Sequence, residues 1–434
     1  MRIKYNKALF LKISLLVLAL ALGACGGSSD DPACMPATDE SCTTTEPTPT
    51  PEPEAEAEAS PEILPKIGFN LNGAIQDYTG ATKTTIDQLE RIWARGFLDY
   101  FFFFDNDADY PNRLNNSPKL SNIAALKEQD YQTIISIKWD FKNPARTMPE
   151  PGSPRMAEFK SNLIALYDKI WQNVDIIVVG NEPFIESPGT VPSTALHLVS
   201  FYEEMLKATI EYRAGTTRPT TPIYLGAFNR LDNANFQNAS NGLLQLAEAT
   251  PEVAGVDLHI HHADTDFDEM RISLNYALDR IREDQKIIST EFSAVRHFVT
   301  HTNDFIEPNF AQQYGIDPTW KIYRYLDSIL SKQAVGNGIT REEWLDFVDA
   351  HPWYGDVQNG YLADAFDVFM ETAPGQFELA TYGVRQQFGP KQTFGSDTFP
   401  WILNGIIVNR TVQENPDGTF AFNKYLHQDF ADLR

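Results

Sequence analysis

From Lys66 onward the chain alternates short apolar runs with longer segments that carry their apolar residues on one side. A strand buried on both faces reads as continuously apolar, and a helix covering it reads as a stripe, so the alternation predicts βα units and a parallel sheet. Eight units are legible. Strands are expected at 66–71, 97–105, 132–139, 174–181, 222–228, 255–261, 286–292 and 377–383. Helices are expected at 84–95, 119–129, 157–171, 194–213, 239–249, 267–283 and 319–332.

Where the apolar runs stop, polar and aromatic residues begin. Asn70 and Asn72, Asp105, Trp139 and Asp140, Asn181 and Glu182, Asn229, His259 and His261, and Glu291 each follow or end a different strand. A doubly wound sheet gathers its site at one switch point and draws on few strands, whereas a (β/α)8 barrel draws on many at its C-terminal face. The barrel is therefore the expected fold of residues 65–434. Its seventh loop, about 293–376, is long and holds the capping sequence Thr340-Arg341-Glu342-Glu343 and the segment His351-Pro352-Trp353-Tyr354. An insertion at that face is expected to shape the site. After residue 383 the pattern fades, and Asn415-Pro416-Asp417-Gly418 reads as a turn.

Two segments run a buried strand straight into a glutamate: Ile176-Ile177-Val178-Val179-Gly180-Asn181-Glu182-Pro183 and Lys286-Ile287-Ile288-Ser289-Thr290-Glu291-Phe292. Burying an unpaired carboxylate is costly, so packing alone explains neither well. A pair of carboxyls is what retaining glycoside hydrolysis requires, with one protonating the leaving oxygen and the other attacking the anomeric carbon from roughly 5 Å away. The plainer alternatives are a glutamate that caps the following helix at 182 and a structural ion pair at 291.

On these residues the chain resembles clan A of the glycoside hydrolases, retaining (β/α)8 enzymes with an Asn-Glu pair after strand four and a glutamate after strand seven. The resemblance implies that Glu182 is the acid/base, Glu291 the nucleophile, and Asn181 a ligand of the hydroxyl beside the reacting carbon. It also implies a His or Tyr after strand six, a place His261 or His262 could fill. Many members carry an arginine near the nucleophile from strand two. The stretch 97–105 has none, which leaves Lys138 or Arg230 as substitutes.

Sugar rings stack on aromatic faces, so Trp139, Trp353, Tyr382 and Trp401 are candidate cleft residues, with Asn70, Asp105 and Asp140 as candidate ligands of sugar hydroxyls. The run Tyr100-Phe101-Phe102-Phe103-Phe104 reads as core. His259 and His261 share a strand face and offer a rival reading as a metal-dependent hydrolase, and a third reading is a carbohydrate-binding barrel without catalysis. The glycosidase chemistry calls for no metal or organic cofactor.

The first residues belong to a different class of sequence. Arg2, Lys4, Lys7 and Lys12 precede the apolar run Ile13 to Leu22, and Leu22-Gly23-Ala24-Cys25 follows, which reads as a signal peptide over 1–24. Those four residues resemble a bacterial lipobox, which implies lipidation at Cys25, a membrane anchor and display at the outer membrane or cell surface. Residues 25–64, rich in Pro, Thr and Glu, read as an extended tether. The other two of the three cysteines, Cys34 and Cys42, lie there and could form a disulfide, so a cysteine nucleophile is excluded from the barrel. A net charge of −24 argues against a nucleic-acid partner. A carbohydrate substrate and a monomeric chain are expected.

Overall fold

A computed structural model describes residues 66–105, 110–187, 192–387 and 393–433. Cys25, Cys34, Cys42, the signal segment and the tether lie outside the described residues. No described helix is long and apolar enough to cross a membrane.

Eight parallel strands close into a barrel in sequence order: β1 (Lys66–Asn70), β2 (Trp93–Asp99), β3 (Gln132–Lys138), β4 (Ile176–Val179), β5 (Ile223–Asn229), β6 (Val253–His261), β7 (Lys286–Ser293) and β8 (Phe377–Gly383). β1 closes on β8 through five register pairs, Lys66 with Leu379 to Asn70 with Gly383. The fold is thus the expected (β/α)8 barrel. Seven of its strands begin and end within two residues of the expected positions.

The interior is graded along the barrel axis. Trp93, Ile134, Ile176, Val178, Tyr224, Ile288 and Leu379 pack into an apolar floor. Above it lie buried Arg95, Ser136, Asp257, Thr290 and Thr381, which bond one another or the backbone: Arg95 donates to Ser136 Oγ at 3.1 Å, and Thr290 Oγ1 to Asp257 Oδ2 at 2.6 Å. Buried polar groups persist only when partnered, so this layer is a network rather than a set of isolated exceptions.

β2 and the helix before it differ from expectation. The segment 84–95 is not one helix: helix Gly80–Ile86 passes into the 3-10 turn Asp87–Leu89, Glu90 adopts a left-handed conformation (φ 51°), and β2 starts at Trp93. Residues 100–104 are helical, with the Asp99 carboxylate accepting from Phe101 N at 2.9 Å as the N-cap. The aromatic run is consequently split by helical periodicity. Tyr100, Phe101 and Phe103 are buried, but Phe102 is exposed.

The segment between β7 and β8 folds into six helices, Val295–Val299, Pro308–Gln313, Ile322–Ala334, Arg341–Ala350, Pro352–Gln358 and Tyr361–Thr372. Thr340 caps the fourth as its sequence predicts, with Oγ1 accepting from Glu343 N at 3.1 Å. Beyond β8 come the 3-10 turn Trp401–Leu403, a turn closed by Gly418 N to Asn415 O at 3.0 Å, and helix Leu426–Asp432.

Candidate active site

The end of β4 is shaped by glycine. Gly180 has φ +118°, and a Cβ there would lie 1.8 Å from Gly226 O on β5, so no larger residue fits between the two strands. The chain turns into a left-handed Glu182 (φ 42°, ψ 57°) ahead of the short helix Pro183–Glu186. Glu182 stands at the N-cap position, yet its side chain makes no capping bond. Its Oε1 instead lies 3.3 Å from His259 Nδ1 and accepts from Asn229 Nδ2 at 3.3 Å. The helix-capping alternative is therefore not what the structure shows.

Glu291 sits in register with His259 of β6. Its Oε1 is 2.5 Å from an Arg95 nitrogen and 3.6 Å from His259 Nε2, and its Oε2 is 3.8 Å from His261 Nε2. Glu291 is thus ion-paired, as the plainer alternative held, and it also lines a cavity at the barrel mouth. His259 touches both glutamates, one through each ring nitrogen.

An arginine does stand beside the nucleophile candidate from strand two: Arg95 lies on β2, although the segment 84–95 that holds it is expected as a helix. Trp93, Arg95 and Phe97 alternate on β2, and that period of two was the signal available. The guanidinium is buried and reaches Glu291, Asn181 Oδ1 at 2.7 Å, Asn72 Oδ1 at 2.9 Å and Ser136 Oγ at 3.1 Å. The substitutes considered are engaged elsewhere: Lys138 with Glu186 at 2.7 Å, and Arg230 with Asp232 at 2.9 Å.

Asn181 accepts from Arg95 through Oδ1 and donates through Nδ2 to Glu186 Oε1 at 2.7 Å, so its amide has one orientation. Burial pushes the Glu186 carboxyl up to about 8, against the pull of Lys138. Burial also holds His259 and His261 down at about 3, so both rings are neutral.

The cavity, about 580 Å³, is bordered by Asn72, Phe97, Lys138, Asn181, Glu182, Glu186, His261, Glu291, Arg385, Gln387, Phe399 and Trp401. Trp401 meets the His261 ring edge-on at 4.8 Å and lies near-parallel to Phe399. Asn70 is buried behind Asn72, whose backbone N donates to its Oδ1 at 2.7 Å. Arg385, on the segment after β8, pairs with Asp77 on the segment after β1.

Several expected cleft residues lie elsewhere. Trp139 is buried against Phe201 and Tyr202, and Tyr382 is buried with its hydroxyl on Asn404 Oδ1 at 3.0 Å, because each faces the helical layer rather than the barrel mouth. His262, one residue past His261, points the opposite way and bonds Tyr361 at 3.0 Å. Trp353 stacks on His301 within the long insertion. Asp105 pairs with Arg146 at 2.8 Å, and Asp140 accepts from Lys142 N, so both stabilise loops away from the cavity.

Glu182, His259 and His261 offer three ligand atoms within 4.8 Å of one another. A tetrahedral zinc bound at about 2.0–2.1 Å draws its ligands to about 3.4 Å apart. Arg95 lies 3.3 Å from His259 Nε2, placing a fixed positive charge at the same ring, which disfavours a cation bound beside it.

No family model matches the chain, and no curated protein matches it. Many solved structures are similar to it. The GH5-4 broad specificity endoglucanase from Clostridium acetobutylicum is 13% identical over 85% of this chain and 97% of that one, with a TM-score of 0.45. Native xylanase 10B from Thermotoga maritima is 11% identical over 85% and 94%, at 0.49. The clostridial cellulose synthase subunit Z from Clostridioides difficile is 12% identical over 85% and 99%, at 0.43. Independently of these, an Asn-Glu pair beyond the fourth strand and a glutamate on the seventh of a closed eight-stranded barrel is the arrangement by which the chain resembles the clan A glycoside hydrolases.

Proposed function

We propose that the protein hydrolyses β-glycosidic bonds with retention, with Glu182 as acid/base and Glu291 as nucleophile. The observation that carries this reading is that the two carboxyls flank one neutral imidazole and border one cavity.

In the first step the Glu182 carboxyl gives its proton to the glycosidic oxygen while Glu291 Oε2 bonds the anomeric carbon. The C1–O bond breaks with its electron pair on the leaving oxygen. In the second, the Glu182 carboxylate takes a proton from water as that water bonds C1, and the C1–Oε2 bond breaks, restoring both groups. Arg95 holds Glu291 Oε1 and offsets its charge, leaving Oε2 for attack. Asn181, fixed on both sides, has its second amide hydrogen for the hydroxyl beside C1. Trp401 supplies the apolar face for the ring.

The same proposal includes endo action on a polysaccharide, a monomeric chain, and export with a lipid anchor at Cys25. These rest on the sequence pattern alone. The deciding experiment is reducing-end release from β-glucans, mannans, xylans and galactans by the wild type, Glu182→Gln and Glu291→Gln. Release lost by about a hundredfold or more in both variants supports the assignment. Binding without release from any polymer supports a non-catalytic carbohydrate-binding protein instead.

A further inference from the structure

Below the two glutamates lies a buried carboxyl that the hydrolysis as written does not use. Asp257 of β6 is fully buried, as is Thr290 of β7, and His259 is nearly so. Asp257 Oδ1 accepts from Thr290 N at 2.9 Å, and its Oδ2 lies 2.6 Å from Thr290 Oγ1. The same Oγ1 is 3.1 Å from His259 Nε2, and the other ring nitrogen is the one 3.3 Å from Glu182 Oε1. The four groups form an unbroken file of hydrogen-bonding atoms from the barrel interior to the cavity.

The proposed acid/base must carry a proton in one step and lack it in the next. His259 is neutral, so it meets the two states with different tautomers. Protonated Glu182 donates to Nδ1, and Nε2–H then donates to Thr290 Oγ1, whose own hydrogen goes to ionised Asp257. Ionised Glu182 accepts from Nδ1–H. Nε2 then becomes the acceptor of Thr290 O–H, and the hydrogen displaced from Thr290 sits on Asp257.

We infer that Asp257, acting through Thr290 and His259, shares one proton with Glu182 and thereby sets the ionisation of the acid/base. In the exchange one hydrogen moves from Glu182 to Nδ1, one from Nε2 to Thr290 Oγ1, and one from that hydroxyl to Asp257 Oδ2. No net charge changes, and no solvent proton is needed. The inference rests on the reading of Glu182 as acid/base. Burial holds Asp257 up at about 7, so both of its forms are reached in the working range of an enzyme. The charged and titratable groups facing Asp257 are Arg95, Tyr224 and Glu291. Those facing His259 are Glu182, Glu291, Arg95, Lys138 and His261.

The test is the tautomer of His259 in the full-length protein, followed by nitrogen NMR with selectively labelled histidine across the pH range, beside the pH profile of turnover. The wild type is expected to show both the Nε2–H and the Nδ1–H tautomer across the pH range in which Glu182 and Asp257 hold one proton between them. Asp257→Asn removes the second proton site, so the ring keeps one tautomer. The basic limb of kcat moves to lower pH by about one pH unit, because deleting a nearby negative charge lets the proton leave Glu182 more readily, with KM little changed. Thr290→Val breaks the file without touching either carboxyl and is expected to fix the tautomer too, while Thr290→Ser restores the switch. A single His259 tautomer throughout in the wild type, or switching that survives Asp257→Asn or Thr290→Val, overturns the inference. The NMR readout needs no turnover, so it stands apart from whether any glycan is cleaved.

Discussion

Replacing Arg95 with methionine keeps most of the stem volume and deletes every donor. Glu291 loses the cation 2.5 Å from its Oε1, and Asn181 and Ser136 lose donors at 2.7 and 3.1 Å. Breaking a buried ion pair from one side costs about 3–5 kcal/mol. The Glu291 side chain keeps 14% exposure, so water screens the stranded charge and the lower figure, about 3 kcal/mol, applies. Two buried acceptors left unpaired add about 1 kcal/mol each, for a total near 5 kcal/mol. Both Asn181 and Glu291 lose their anchor, and a misplacement of that kind costs about a hundredfold in kcat. Urea midpoints at constant m measure the stability loss, and reducing-end assays the rate. The electrostatic part is isolated by Arg95→Met/Glu291→Gln, in which no charge is stranded. That double variant is expected to be about 2–3 kcal/mol more stable than Arg95→Met alone. A loss below about 1 kcal/mol in Arg95→Met, or a double variant no more stable than the single, would refute the reasoning.

Four further outcomes are expected. Trp401→Ala removes the apolar face of the cavity and should raise KM about tenfold with a smaller change in kcat, seen in initial rates on whichever polymer is cleaved. Glu186 binds a proton more tightly folded (about 8) than unfolded (4.5), so the native state holds the extra proton between those values and stability falls as pH rises through them. Glu186→Gln should flatten that decline, by a few kcal/mol at most, in urea midpoints at pH 5 and 9. His259 and His261 act in the opposite sense: held near 3 against an ordinary 6.5, they make stability fall as pH drops from 6.5 toward 3. Finally, Glu182→Gly should end hydrolysis and yet raise stability by about 1 kcal/mol in the same denaturation assay, because glycine adopts φ 42° without strain. Glu182→Gln, equally inactive, should gain none of it.

The parts of this architecture that were legible in the sequence are those where one physical signal dominates. β4 and β7 are apolar runs with no competing helical period, and each ends in a carboxylate that packing does not explain, so their positions and the two glutamates follow together. β2 carries two signals. Ile86, Leu89, Ile92 and Trp93 fit a helical stripe, while Trp93, Arg95 and Phe97 fit a strand, and only the left-handed turn at Glu90 decides between them. That one ambiguity hid Arg95. The aromatics failed for another reason. Trp139, Tyr382 and Trp401 all lie near a strand end or beyond one, and which of them reaches the cavity depends on tertiary packing: the first two insert beneath the helices, while the turn after Pro400 delivers the third. Glu186 was missed because its meaning depends on Asn181 and Lys138 coming together around it.

The left-handed backbone at Glu182 bears on the protein's history as well as its chemistry. A side chain strained where it stands costs stability, so drift toward glycine or asparagine at that position would make the barrel more stable. A lineage that kept the cavity for binding alone would be free to take that step. On the proposed role of Glu182 as acid/base, its replacement by a residue at ease with positive φ would relieve the backbone and end catalysis in one step.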